Sequence, residues 1–265
     1  MGLRTAHAPG TFSWVDLATT DQQDAKRFYG ELFGWVAQDV PVGEGVVYSM
    51  MSRDGHVVAA IAPQPQAQRD AGVPPLWQSY VTVASADDAA QRASDAGGHV
   101  HAPPFDVFDA GRMAVIQDPQ GAFFMVWEPR EHIGAELVNA PGALTWNELY
   151  VPDVDAAQAF YGAVFGWSFA PMEGMATPYT VITNGEPGHR CERSVDVVDG
   201  EIGEPVWRDA RHRRGQHPAV AALATVTGLG GSVQTGPIDI GIAKIGVVAD
   251  AQGAMFALYD GRLDD

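Results

Sequence analysis

Two acidic residues stand where they could do chemistry. Asp16 follows Trp14 by two residues in FSWVDLAT, and Glu148 follows Trp146 by two in LTWNELYV. On a strand that spacing puts carboxylate and indole on one face. A carboxylate in an apolar setting has a raised pKa, so it can act as a base or fix a ligand hydroxyl. The plainer role is to accept backbone hydrogen bonds or anchor a basic side chain. Asp16 and Glu148 are therefore the candidate catalytic residues, with no reaction assigned to them. Arg112 and Lys244 could clamp an anionic ligand, against the plainer reading of solvated strand-end charges. His99 and His101, two apart on an expected strand, share a face and could chelate, but no third ligand stands near them in sequence. Cys191 has neither a local base nor a helix start beside it, which argues against a nucleophile.

These residues come in pairs because the chain repeats itself. FSWVDLATTDQQDAKRFYGELFGW begins at Phe12, and LTWNELYVPDVDAAQAFYGAVFGW begins 132 residues later, at Leu144. The same shift relates DPQGAFF, from Asp118, to DAQGAMF, from Asp250. Two copies of one domain is the economical reading, with 1–130 the first, 131–143 a linker and 144–265 the second. Within a copy, Phe12 to Ala18 alternates as a strand. Ala25, Phe28, Tyr29, Leu32 and Phe33 then make one helical stripe, capped by Thr20 or Asp21 and ended by Gly34. Strands at 46–51 and 56–61 turn through Asp54-Gly55. The pattern restarts with a strand at 77–84, a helix at 86–96, and strands near Val100, at 113–117 and at 122–127, the last two joined by a tight turn at Asp118 to Gly121. Each half thus reads as two strand-helix-strands units, an α+β class. A helix on one face of a curved mixed sheet leaves the other face free to line a cup.

FYxxxFGW twice and the DxQGAxF turn twice make the chain resemble the vicinal oxygen chelate superfamily of glyoxalases, extradiol dioxygenases and bleomycin-resistance proteins. Its tandem layout is similar to the two-domain actinobacterial members, some of which occur in aromatic antibiotic biosynthesis. The resemblance implies two glyoxalase-like domains, each of two βαβββ units forming a cup. It also implies a divalent metal held by His, Gln or Glu at matching strand positions. Here those positions hold Trp14 and Trp146 on the opening strands and Met125 and Ala257 on the last strands, leaving Gln78 as the one residue able to bind a metal. An indole has no lone pair to donate and a thioether is a poor partner for a hard ion. No metal site and no cofactor is therefore expected. Trp14 and Trp146 instead offer flat apolar surfaces suited to stacking on a planar ligand. Gln78, Arg112, Met125 and Trp127 complete the expected ligand contacts, whereas Trp77, Tyr80, Phe105, Phe108, Tyr179 and Trp207 read as ordinary packing.

One stretch breaks the repeat. Between Arg190 and Arg214 lie six of the 16 basic residues, and residues 208–217 contain no large apolar side chain. WRDARHRRGQHPAV stands where the first copy has WQSYVTVASADDAA, so 189–218 is expected to be irregular and to leave the second cup without a wall. A basic insertion, a functional loop and a reading-frame error all fit, and the abrupt change favours a frame error or decay of the strand. The formal net charge of −17 argues against nucleic acid and anionic membrane as partners. No apolar run reaches the 18 residues of a membrane helix, the N-terminus lacks a signal-peptide core and there is a single cysteine, so a cytoplasmic monomer or homodimer is expected. The leading function is metal-independent binding of a planar or aromatic metabolite or drug, in resistance, sequestration or antibiotic biosynthesis. The alternative is a metal-dependent lyase, isomerase or dioxygenase of the glyoxalase type, and a third is a regulatory protein using its acidic surface.

Overall fold

Strands and helices alternate largely as the hydrophobic pattern predicts. The computed structural model describes residues 2–43, 45–172, 179–185, 195–199, 204–208, 218–239 and 243–261. β1 (Phe12–Thr19) is buried along its whole length. Its Val15 and Leu17 face a helical layer, while Trp14 faces the other way. α1 (Gln22–Phe33) starts where the Asp21 carboxylate accepts from the Asp24 N–H, and stops at Gly34, whose φ of 75° favours glycine. Its buried residues are the five of the stripe. β2 (Val36–Gly43), β3 (Val46–Arg53) and β4 (His56–Pro63) follow, β4 returning parallel to β1. β2 is exposed almost throughout, so no alternation announced it.

A short helix, α2 (Gln66–Asp70), leads to β5 (Leu76–Thr82), α3 (Ala86–Asp95), β6 (His99–Val107), β7 (Gly111–Gln117) and β8 (Phe123–Pro129). The eight strands form one mixed sheet in the order β2-β3-β4-β1-β5-β8-β7-β6. The second half repeats this with β9 (Leu144–Val151), α4 (Val154–Phe165), β10 (Ser168–Pro171), β11 (Tyr179–Thr183) and β12 (Val195–Asp199). It continues with β13 (Glu204–Arg208), α5 (Pro218–Gly228), β14 (Ser232–Asp239), β15 (Ala243–Ala249) and β16 (Met255–Gly261). The order β10-β11-β12-β9-β13-β16-β15-β14 matches the first sheet strand for strand. The fold is two tandem glyoxalase-like domains, each of two βαβββ units.

The expected gap in the second wall is corrected by β13. It fills the slot between β9 and β16, built from residues up to Trp207 and Arg208 rather than from those after them. The comparison with the first copy misled because Trp77 pairs with Leu17 whereas Trp207 pairs with Leu144, so the two tryptophans are not equivalent in register. Residues 209–217 lie outside the described residues, as does Cys191.

The helices lie between the two sheets, and each half packs on the other. Phe28, Tyr29 and Phe33 of α1 share a core with Ala222, Leu223 and Val226 of α5 and with Phe256 and Leu258. Ala86, Ala89 and Ala93 of α3 share one with Phe160, Tyr161 and Val164 of α4. Two reciprocal bonds lock this arrangement. The Tyr29 hydroxyl donates to Asp250 Oδ2 at 3.0 Å, and the Tyr161 hydroxyl donates to Asp118 Oδ2 at 3.0 Å. Likewise the Trp35 indole N–H donates to the Gly142 carbonyl and that of Trp167 to the Gly10 carbonyl, at 2.7 and 2.8 Å. The repeated tyrosine, tryptophan and turn aspartate are thus fastenings between the halves.

Candidate functional site

The sheet faces turned away from the helices carry the candidate site. In the first half that face is aromatic: Trp14, Tyr80 and Trp127 are buried together with Ala60 and Met125. The strand register places Asp16 there, beside Ala60 on one side and Gln78 on the other. Asp16 Oδ2 accepts from the Tyr48 hydroxyl at 2.9 Å and from the Tyr80 hydroxyl at 2.8 Å. Tyr48 in turn accepts from the Trp14 indole N–H at 3.0 Å. Asp16 Oδ1 is buried and has no hydrogen-bond partner among the described residues. Burial pushes the Asp16 carboxyl up to about 6, outweighing the two tyrosine bonds that lower it. Burial and the Asp16 charge together hold both tyrosine hydroxyls well above their ordinary range.

The segment expected to be a linker lines this face. The Ala135 N–H donates to the Ser13 carbonyl and the Glu136 N–H to the Val57 carbonyl, laying the chain along β1 and β4. The Glu136 carboxylate accepts from the Val57 N–H, and Ala135 and Val138 join the aromatic cluster. The His132 and Trp14 rings meet edge to face, with centroids 4.5 Å apart and planes at 87°. The His132 carbonyl accepts from the Trp127 indole N–H at 2.9 Å, its Nε2 is buried without a partner among the described residues, and burial lowers its pKa to about 4.

The second half has a parallel arrangement. Trp146 packs against Tyr259 with centroids 4.2 Å apart, among Ala243, Ile245 and Ala257. Glu148 accepts from the Tyr150 hydroxyl at 2.9 Å on Oε2 and from the Tyr179 hydroxyl at 3.0 Å on Oε1. Burial raises its pKa. Tyr48 and Tyr179 occupy matching positions: each stands two residues before the one that lies, across a single strand, level with the carboxylate. Each half therefore holds an acid by a tyrosine from the equivalent strand.

The structure thus brings together Trp14, Asp16, Met125 and Trp127, with half-buried Gln78 beside Asp16, and separately Trp146 and Glu148. Arg112 does not join them, a correction to its expected place. Met113 and Val115 of β7 face the aromatic cluster and Ala114 faces α3, so Arg112 falls on the helix side. There it pairs with Asp87 at 2.7 Å and Asp106 at 3.0 Å. Lys244 stands level with Asp239 and Asp260 in the sheet. His99 and His101 lie on the exposed edge strand, rings 4.4 Å apart, with His101 bonded to Gln117. Sequence reasoning took Tyr80 and Tyr179 for packing and missed Tyr48, whose partners are set by register between strands, and His132, which lies outside the strands; Tyr150, two residues after Glu148 on β9, could have been found by alternation alone.

A divalent ion does not fit these residues. Trp14 and Trp146 can only donate, Met125 is soft, Ala257 offers nothing and one Asp16 oxygen is committed to two hydroxyls. Among the described residues no three His, Cys, Asp or Glu side chains stand close enough to hold a metal.

Comparison with known proteins agrees with the architecture. The family model for the Glyoxalase/Bleomycin resistance protein/Dioxygenase superfamily matches residues 11–126, and that for the bleomycin resistance protein-like N-terminal domain matches 143–184. The chain belongs to the glyoxalase, bleomycin resistance protein and dioxygenase superfamily. It is 40% identical over 264 residues to "Putative glyoxylase CFP32" of Mycobacterium tuberculosis, covering 97% of each chain. It is 33% identical over 270 residues to the anthracycline biosynthesis protein DnrV of Streptomyces peucetius, covering 97% of this chain and 96% of that one. Among solved structures, the Mn(II)-bound glyoxalase of Novosphingobium aromaticivorans matches with a TM-score of 0.62 at 13% identity, over 95% of this chain and 82% of that one. The 2,3-dioxygenase LapB of Pseudomonas sp. KL28 matches at 0.63 and 13%, over 99% and 94%. At that identity the likeness is one of fold.

Proposed function

We propose that the protein is a metal-independent binder of a planar, polycyclic aromatic metabolite or drug, serving antibiotic biosynthesis, sequestration or resistance. The observation that supports this reading is the pairing, in each half, of a tryptophan at the inherited metal position with a buried carboxylate held by tyrosines. Such a face can stack on a ring system and hydrogen-bond its edge. The relatives named for anthracycline biosynthesis add to it, since an anthracycline is a planar tetracycle. In this reading the division at 130 and 144 separates two working domains, Gln78, Met125 and Trp127 line the first cup, and one cytoplasmic chain suffices. The relative named as a glyoxylase and the manganese-bound fold neighbour favour the second reading, a metal-dependent enzyme.

Titration with daunorubicin tests both. Binding is expected to quench tryptophan emission with micromolar affinity, and Trp14→Phe and Trp146→Phe should each remove part of the quench. Elemental analysis after incubation with manganese, nickel, zinc and iron(II) and desalting should find no retained ion. One tightly held ion per chain together with silence toward daunorubicin would replace this reading with the enzymatic one.

A further inference from the structure

We propose that the free Oδ1 of Asp16 is the acceptor for a ligand hydroxyl, so that the first cup selects phenols and hydroxyquinones over planar aromatics that lack the hydroxyl. The inference rests on the binding role proposed above and names the ligand class. Its basis is a count of hydrogens. The Trp14 N–H is committed to Tyr48, and the Tyr48 and Tyr80 hydrogens are both committed to Asp16 Oδ2. The donors around the acid are thereby spent on one oxygen, and Gln78, level with Asp16 in the sheet, makes no bond to the other. Asp16 is 6% exposed, so the missing partner is not bulk water. A buried carboxylate oxygen without a donor is uncommon, because such atoms are normally satisfied. An aromatic hydroxyl arriving against Trp14 would supply the absent hydrogen.

The chain already holds a planar heterocycle on that indole. The His132 imidazole stands perpendicular to Trp14 with ring centroids 4.5 Å apart, and its Nε2 is a second buried polar atom without a partner among the described residues. It occupies the space a ligand ring would take, which makes it the group to be displaced. The second cup differs, because Tyr150 and Tyr179 engage both oxygens of Glu148. No comparable hydroxyl preference is expected there.

The test uses 2-hydroxyanthraquinone and its isostere 2-methylanthraquinone, titrated calorimetrically into the full chain carrying His132→Ala, which clears the indole, at pH 7, where the phenol keeps its hydrogen and the Asp16 carboxyl is mainly ionised. The hydroxyl compound should bind at least about tenfold more tightly, the range of a hydrogen bond to a charged group. Its visible band should shift to longer wavelength as the O–H leans on the carboxylate. Adding Asp16→Asn should reduce the preference to less than about twofold and abolish the band shift. The two tyrosines must still donate to the amide oxygen, leaving an NH2 where the free acceptor was. Equal binding of both compounds to the His132→Ala protein would overturn the hydroxyl assignment and leave planar binding standing. Binding of neither would overturn both. If the double variant fails to fold, as judged by circular dichroism, the preference and band shift in the single variant decide the matter.

Discussion

Asp16 and His132 bias stability in opposite directions as the pH falls. The Asp16 carboxyl, ordinarily near 3.8, titrates at about 6 in the folded chain, so folding is unpenalised below about 4 and loses about 3 kcal/mol as pH rises through 6. His132, ordinarily at 6.5 and lowered to about 4, is unpenalised above about 6.5, and its penalty, similar in size, grows as pH falls toward 4. Across that window the two contributions nearly cancel. In urea unfolding, Asp16→Asn relative to the parent should therefore be about 3 kcal/mol better off at pH 7 than at pH 4. His132→Ala should show the opposite trend. A difference that does not vary with pH would mean that Asp16 is not a buried acid. The sequence allowed the position of Asp16 beside Trp14 to be read, because alternation alone assigns a face. It did not reveal Tyr48, Tyr80 or His132 as neighbours, since they come from separate segments whose register no local pattern encodes.

The elements divide along the same line. The α1 stripe and its caps were legible because they depend on residues three or four apart, and the buried set matches the stripe residue for residue. Arg112 was misplaced because strand existence could be read at β7 but its phase could not: a shift of one residue turns every side chain to the other face. β13 was missed because Trp207 is its fourth residue and not, like Trp77, near the start of its strand, so aligning the copies on the tryptophans set the wrong register. The helix signature itself has a purpose that periodicity cannot show. Tyr29 accepts from the Trp77 indole as well as donating to Asp250, whereas Tyr161 is described only as a donor to Asp118. Tyr29→Phe removes two buried hydrogen bonds and should cost about 2–4 kcal/mol, against about 1–2 for Tyr161→Phe, which removes one. Denaturant midpoints at neutral pH would rank them, and an inverted order would contradict the paired-bond account.

At the scale of the whole molecule, the helices of each half are covered by the other. A chain of residues 1–130 alone would expose Phe28 and Phe33 on α1 and the alanine face of α3, which meet α5 and α4 here. It should therefore dimerise through its helical layer, with light scattering showing twice the half-chain mass; a stable monomer would argue that the halves are independent. The net charge of −17 should make the intact chain's stability rise with moderate salt, as repulsion is screened. The reciprocal bonds from Tyr29 to Asp250 and from Tyr161 to Asp118 also speak to ancestry. A half-length forebear carrying both residues could satisfy each only across a two-fold axis with a copy of itself. Joining two such genes would keep both bonds and make them intramolecular. From then on a change to either fastening is felt by both halves, whereas Met125 and Ala257, or Trp127 and Tyr259, can drift apart one cup at a time. Duplication thus left two sites free to specialise on a frame that neither half can abandon alone.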